Sequence, residues 1–219
     1  MRIVMAGGHG KIALLLADLL TGRGHSVAAL IRNPAHAAEV YAVGAEPVVI
    51  DLERADVADL AATVQGSHAV IFAAGAGPGS SAARKYTVDR DGSILLADAA
   101  EAAGVRRFLQ ISTMGAGLPP APGRDEVWAA YIDAKTQAED DLRARDLDWT
   151  ILRPGALTDK AATGQVTLAP PRLERGDIAR ADVAAVLAEL LPARHTAGMT
   201  LELVGGDTPI AAAVAALGR

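Results

Sequence analysis

MRIVMAGGHGKIA, Met1 to Ala13, is the stretch that decides the fold. After Arg2 the residues through Ala6 are apolar without interruption, the pattern of a strand buried on both faces. The run passes directly into Gly7-Gly8-His9-Gly10 and then Lys11-Ile12-Ala13. Gly8, Gly10 and Ala13 fit the dinucleotide fingerprint, in which one glycine makes a tight turn, another admits a pyrophosphate to the backbone, and a small residue lets helix pack on strand. Gly7 and Gly10 fit the related G-x-x-G-x-x-A spacing equally well. The helix that follows, from Lys11 to about Leu20, points its free amides and positive dipole end at whatever lies over the turn, which favours phosphate. Gly7, Gly8, His9, Gly10, Lys11 and Ile12 are the cofactor-binding candidates of this stretch.

Outward from that unit, strands and helices alternate. Thr21-Gly22-Arg23-Gly24 stops the first helix, and His25 to Ile31 is a second buried strand ending at Arg32-Asn33-Pro34. Further strands are expected at Glu46 to Ile50, His68 to Ala73, Arg107 to Ile111, Trp149 to Leu152, Gln165 to Leu168 and Met199 to Val204. Helices are expected at about Ala35 to Val43, Asp56 to Val64, Arg84 to Ala103, Glu126 to Arg145, Ala181 to Leu191 and from Pro209 onward. Met114 to Asp125, rich in glycine and proline, is a loop over the site. Near-continuous apolar strands alternating with helices predict an α/β fold, a Rossmann-like doubly wound parallel sheet with helices on both faces. Ligands of such sheets bind beyond the carboxyl ends of the strands.

At 219 residues the chain is expected to form a single domain, with about 154–219 as a small C-terminal segment completing the substrate side. A net charge of -5 and only two Trp, three Tyr and two Phe leave neither a basic nor a base-stacking surface, so nucleic acid is not an expected partner. Cysteine is absent, which excludes disulfides and thiolate-bound metal and fits a cytoplasmic location; the histidines at 9, 25, 36, 68 and 195 lack metal-ligand spacing. Lys11 and Asp18 interrupt the apolar start where a secretory leader would need continuity, and no apolar run is long enough to span a bilayer. The expected partner is a small-molecule substrate.

Three positions carry chemistry. Arg32 ends the second strand, where an NAD site normally presents an acid to the ribose; a guanidinium there can fork onto a 2′-phosphate and favours NADP. Asp51 and Leu52, at the end of the third strand, are candidates for the adenine pocket. Tyr131 and Lys135 lie four apart on one helix face, and Ser112 ends the neighbouring strand. A phenol of reference pKa about 10 needs a nearby ammonium to carry protons near neutrality, and Lys135 is placed to supply it. Ser112 would then orient a substrate oxygen.

These residues carry a resemblance. The chain resembles the short-chain dehydrogenase/reductases, specifically the atypical NmrA-like group close to NAD-dependent epimerases/dehydratases, in AGGHGKIA, LIRNP, VIFAAGAG, TVDRDGSILLADAAEAAGVRRFLQIST, YIDAK and WTILRPGALTD. The resemblance implies that Ala73, Ala74 and Gly75 line the adenosine side, that Ser112 and Lys135 flank the nicotinamide ribose, and that Pro154, Gly155, Ala156 and Leu157 close over the nicotinamide. It also makes Asp89 the counterpart of the asparagine that completes a Ser-Tyr-Lys tetrad in better-known members. Two functions follow. One is an NADP-dependent oxidoreductase acting on a small carbonyl, quinone or flavin-like acceptor; the other is an NADPH-sensing regulator without turnover, with an epimerase or dehydratase as a further alternative. Ser112, Tyr131 and Lys135 favour the enzyme, because a sensor needs only cofactor contacts.

Overall fold

A computed structural model describes residues 1–119, 123 and 125–218. The first half runs β1 (Arg2–Ala6), α1 (Lys11–Gly22), β2 (Ser26–Ile31), a 3-10 turn (Pro34–His36), α2 (Ala37–Ala42), β3 (Glu46–Val49), α3 (Val57–Val64) and β4 (Ala69–Phe72). Then come α4 (Ala82–Arg84), a π-helical turn (Lys85–Arg90), α5 (Asp91–Ala102), β5 (Arg107–Ile111), α6 (Glu126–Arg143) and β6 (Asp148–Pro154). The chain closes with β7 (Ala156–Thr158), β8 (Gln165–Ala169), β9 (Asp177–Ala179), α7 (Arg180–Leu190), a 3-10 turn (Arg194–Thr196), β10 (Met199–Gly205), β11 (Thr208–Pro209) and α8 (Ile210–Ala215).

The main sheet has the order β11-β8-β10-β6-β5-β4-β1-β2-β3. It is parallel from β3 across to β10, while β8 pairs antiparallel with β10 and with β11. Strand alternation sends side chains to two separate cores. Ile3 and Met5 join Leu16 and Leu20 of α1 and Val183 and Leu187 of α7. Val4 and Ala6 join Leu60 and Val64 of α3, Leu96 of α5 and Leu142 of α6. The sheet is thus covered on both faces, as the apolar strands predict. No helix among the described residues is long and apolar enough to cross a membrane.

The structure departs from expectation in three places. The predicted helix Arg84 to Ala103 starts at Ala82, where Ser81 Oγ accepts from the Arg84 amide (3.4 Å), and its second turn is π-helical over Lys85–Arg90. The sixth strand continues to Pro154 because β10 keeps pairing with it as far as Leu203. The C-terminal segment is divided: β8, β10 and β11 extend the main sheet, and only β7 and β9 form a separate parallel pair. β7, β9 and β11 are invisible in the sequence because two or three residues show no period. Of the loop expected at Met114 to Asp125, residues 120–122 and 124 lie outside the described residues.

One interior cation ties the late strands together. Arg107 is 7% exposed at the start of β5 and donates to the carbonyls of Asp148 (2.9 Å), Leu190 (2.6 Å) and Leu191 (3.3 Å), and to the hydroxyls of Thr150 (2.8 Å) and Thr196 (3.1 Å). Burial pushes its guanidinium down to about 10, so it stays charged at neutral pH. Arg107→Met keeps the volume but strips these acceptors of their donor, and should cost about 2–4 kcal/mol in urea unfolding. A parental unfolding midpoint would show that this anchor contributes nothing net.

Candidate active site and nucleotide cleft

β1 and β4 are neighbours, but α1, which follows β1, and α5, which follows β4, lie on opposite faces, so a crevice opens at their carboxyl ends. Gly7 turns there with φ +79°, and a Cβ on it would fall 2.6 Å from Ala74 Cα. Only glycine fits both demands. Gly8 is held by a different contact. Its amide donates to the Leu30 carbonyl (2.9 Å), and a Cβ would overlap Ala29 of β2. Gly10 precedes α1 with extended geometry (φ -64°, ψ 147°) and lines the crevice, where a Cβ would press on the Gly7 carbonyl at 3.2 Å, with Ala13 Cβ and the Ala73 carbonyl at 4.0 Å. The spacing G-x-x-G-x-x-A therefore describes the turn, with Gly7 bending, Gly10 open and Ala13 buried. α3 and α6 are capped by Asp56 and Asp125, whereas α1 has neither a side-chain cap nor an acid in its first turn. Its leading amides are free for an anion.

The crevice is a cleft of about 370 Å³, within the range of small-molecule sites. Of the sequence candidates, Gly7, His9, Gly10, Arg32, Asp51, Leu52, Ala73, Ala74 and Gly75 line it. His9 stacks on His36 (centroids 3.7 Å apart), with its Nε2 3.1 Å from Glu39. Gly8, Lys11 and Ile12 do not line it. Lys11 instead pairs with Asp159 (2.6 Å), which also receives Arg180 (2.6 Å), and Ile12 packs against the core. Sequence reasoning missed Asn33, His36, Glu53 and Arg84, which also line the cleft. Arg32 reaches Glu53 (3.3 Å), as does Arg84 (2.6 Å). The Arg84 hydrogen bond, followed by that of Thr87, holds the Glu53 carboxyl down at about 2.

Asp89, Ser112, Tyr131 and Lys135, the candidates for chemistry, do not line the cleft. Lys135 is 4% exposed and Asp89 1%; their charged atoms are 3.2 Å apart. The ammonium also donates to the carbonyls of Ile111 (3.3 Å) and Ala74 (3.4 Å), and the Asp89 carboxylate accepts from the Ala76 amide (2.9 Å). Ser112 is buried, and its hydroxyl has no partner among the described residues. Tyr131 is half-buried, with the ammonium of Lys85 5.5 Å and that of Lys135 6.0 Å from its ring centroid. Among the described residues the cation nearest the ring is thus Lys85, one helical turn before Asp89, rather than the Lys135 that spacing suggests. Tyr86 is committed elsewhere: its hydroxyl donates to Asp133 (2.8 Å), which raises its pKa.

Pro154, Gly155, Ala156 and Leu157 do not line the cleft. Pro154 ends β6 and accepts from the Met114 amide (3.0 Å), which keeps it beside the turn that follows Ser112. Gly155 sits against the Gly176 carbonyl, and Ala156 and Leu157 are exposed in β7. Arg153, just before them, forks onto the fully buried Glu139 of α6 (2.8 Å from Nε) and so fixes this edge to the helix carrying Tyr131.

A glycine turn open to a cleft, uncapped helix amides and a buried unpartnered hydroxyl together fit a nicotinamide dinucleotide. The sequence profile described as NAD(P)H-binding matches residues 7–194. The uncharacterized sugar epimerase YhfK of Bacillus subtilis is 35% identical over 215 residues, covering 98% of this chain and 99% of that one. A Bacillus halodurans structure named for the NAD-dependent epimerases/dehydratases superposes with a TM-score of 0.91 at 37% identity, covering 99% of this chain and 100% of its own. The oxidoreductase ylbE of Lactococcus lactis gives 0.86 at 28%, covering 99% and 96%. Family and structures agree with the resemblance read from the motifs, and the chain belongs to the NAD(P)H-binding family of oxidoreductases and epimerases.

Proposed function

We propose that this protein is an NADP(H)-dependent oxidoreductase acting on a small carbonyl, quinone or flavin-like acceptor. The observation that carries the reading is the Ser112 hydroxyl, buried without a partner among the described residues and next to Ile111, whose carbonyl anchors Lys135. An unsatisfied buried hydroxyl costs about 1–3 kcal/mol, and a substrate oxygen would satisfy it. When bound, the nicotinamide supplies or accepts the hydride. Ser112 orients the substrate oxygen, and Tyr131, whose hydroxyl has no hydrogen-bond partner among the described residues, gives or takes the proton. Lys135 is available to the ribose, with its position set by Asp89, Ala74 and Ile111. Asp89 does by charge what an asparagine would do by hydrogen bonding. Arg32 supports NADP over NAD because it lines the cleft at the end of β2 with its side chain 55% exposed. The names of two relatives, a sugar epimerase and an NAD-dependent epimerase/dehydratase, favour a second reading, an NAD(P)-dependent epimerase or dehydratase, which would use the same hydride chemistry. Against it, most of the C-terminal strands are spent extending the sheet.

Cofactor binding is tested first. Gly10→Val puts a Cβ 3.2 Å from the Gly7 carbonyl, so the turn must give by a few tenths of an ångström; in a variant that keeps a parental thermal melt, calorimetry should show most nucleotide binding lost, and parental affinity would move the pyrophosphate elsewhere. Arg32→Ala should weaken NADPH about ten-fold or more and NADH little, the loss expected for a charged hydrogen bond of about 1.5–3 kcal/mol. Equal affinities of the parent for both nucleotides would overturn the NADP assignment.

Chemistry is tested by following NADPH consumption over a panel of carbonyls, quinones, flavins and nucleotide sugars. Tyr131→Phe keeps the ring and should lower turnover by about 10²–10⁴-fold with NADPH affinity nearly unchanged, whereas Lys135→Met should lower both. Undiminished turnover in Tyr131→Phe points to direct hydride transfer to a quinone or flavin. Interconversion of sugar epimers without net NADPH loss would establish the epimerase instead.

A further inference from the structure

The wall of the nucleotide cleft contains an anion of the protein's own. Glu53 follows Asp51-Leu52 at the end of β3, and its carboxylate receives Arg84 (2.6 Å from Nη2, 3.3 Å from Nε), Thr87 (2.6 Å) and Arg32 (3.3 Å). Arg32 follows β2 and Arg84 ends α4, so guanidiniums from two distant segments converge on one carboxylate. With its side chain 23% exposed and its pKa near 2, Glu53 is ionised across the neutral range. Asp51, whose carboxylate accepts from the Glu53 amide (3.1 Å), adds a second negative charge, and the stacked His9 and His36 complete the titratable lining.

The end of the second strand is where such folds read the 2′ position of the adenosine ribose. We propose that Glu53 and Arg84 are specificity-determining residues for that position: a 2′-phosphate engages Arg84 as well as Arg32 and must displace Glu53 from them, whereas a 2′-hydroxyl donates to Glu53. The proposal rests on the nucleotide occupying this cleft, the reading proposed for the protein's function. It gives the site a calibrated preference in place of the strong one that Arg32 alone would confer, because the carboxylate repels the phosphate and rewards the hydroxyl. Removing its charge therefore moves the two cofactors in opposite directions. A residue that only braced the wall would move both the same way.

The test is calorimetric titration of the full chain with NADPH and NADH, and with adenosine 2′,5′-bisphosphate and AMP, which bind without any hydride transfer. Glu53→Gln should tighten NADPH and the bisphosphate and weaken NADH, raising the ratio of the two cofactor affinities about ten-fold. Arg84→Met should lower NADPH and bisphosphate affinity several-fold and spare NADH and AMP; it decides the question alone if the Glu53 variant unfolds early in a thermal melt. A shift of all four ligands in one direction, or an unchanged ratio in both variants, overturns the proposal. An unchanged ratio in a parent that prefers NADPH and loses that preference in Arg32→Ala sinks the Glu53–Arg84 assignment only. Failure of the parent to bind any of the four sinks the cofactor reading and this inference together.

Discussion

The buried pair of Lys135 and Asp89 is the interaction on which the site depends. Two charges under 5% exposed are costly to desolvate, and a pair of this kind is tolerated only when its remaining donors and acceptors are satisfied. Here the satisfaction comes from four places in the chain. The Ile111 carbonyl is the end of β5, the Ala74 carbonyl and Ala76 amide belong to the loop after β4, Asp89 to the π-helical turn and Lys135 to α6. None of these segments can shift without stranding a charge. The π-helical turn carries both Lys85 and Asp89 into the interior, where the Lys85 ammonium donates to the Gly77 carbonyl (2.9 Å).

The cleft and the buried pair beside it differ in their electrostatics. In the cleft, charges are balanced but open, with Arg32, Arg84, Asp51 and Glu53 all at the lining. On the reacting side, the charges are locked, and the neutral hydroxyls of Ser112 and Tyr131 have no hydrogen-bond partner among the described residues. Such a division suits a dinucleotide, whose adenosine end is recognised by charge and whose reactive end must face a substrate in a dry, oriented setting.

What the sequence disclosed was what local spacing can encode. Strand, glycine turn and helix start lie within Met1 to Ala13, Tyr131 and Lys135 share a helix face by their separation, and Arg32 and Ser112 are found by counting to strand ends. The alternating elements point to the doubly wound sheet, and their boundaries fall within a few residues of those observed. What escaped was contact between distant segments. Nothing near Glu53 announces Arg84, thirty-one positions away, and nothing near Tyr131 announces Lys85. The two glycine spacings are indistinguishable in the sequence because Gly7 and Gly8 differ in backbone conformation and in what they touch, Ala74 for one and Ala29 for the other. The pairing of Pro154 with β10 and of Ala156 and Leu157 with β9 likewise joins segments some fifty and twenty residues apart, which local spacing does not encode.

The arrangement of the two cores bears on how the chain acquires its structure. The face carrying α3, α5 and α6 is assembled from residues no later than Ile151, whereas the face carrying α1 needs α7 and α8, with members as late as Leu217. During synthesis at about 5–20 residues per second, the apolar stripe of α1, Leu16 and Leu20, waits on the order of ten seconds or more for Val183 and Leu187 to emerge. The nucleotide turn sits at the head of that same helix. A nascent chain thus has one finished layer and an uncovered binding element, a state exposed to chaperones and proteases, and the last secondary-structure elements made are the ones that seat the first.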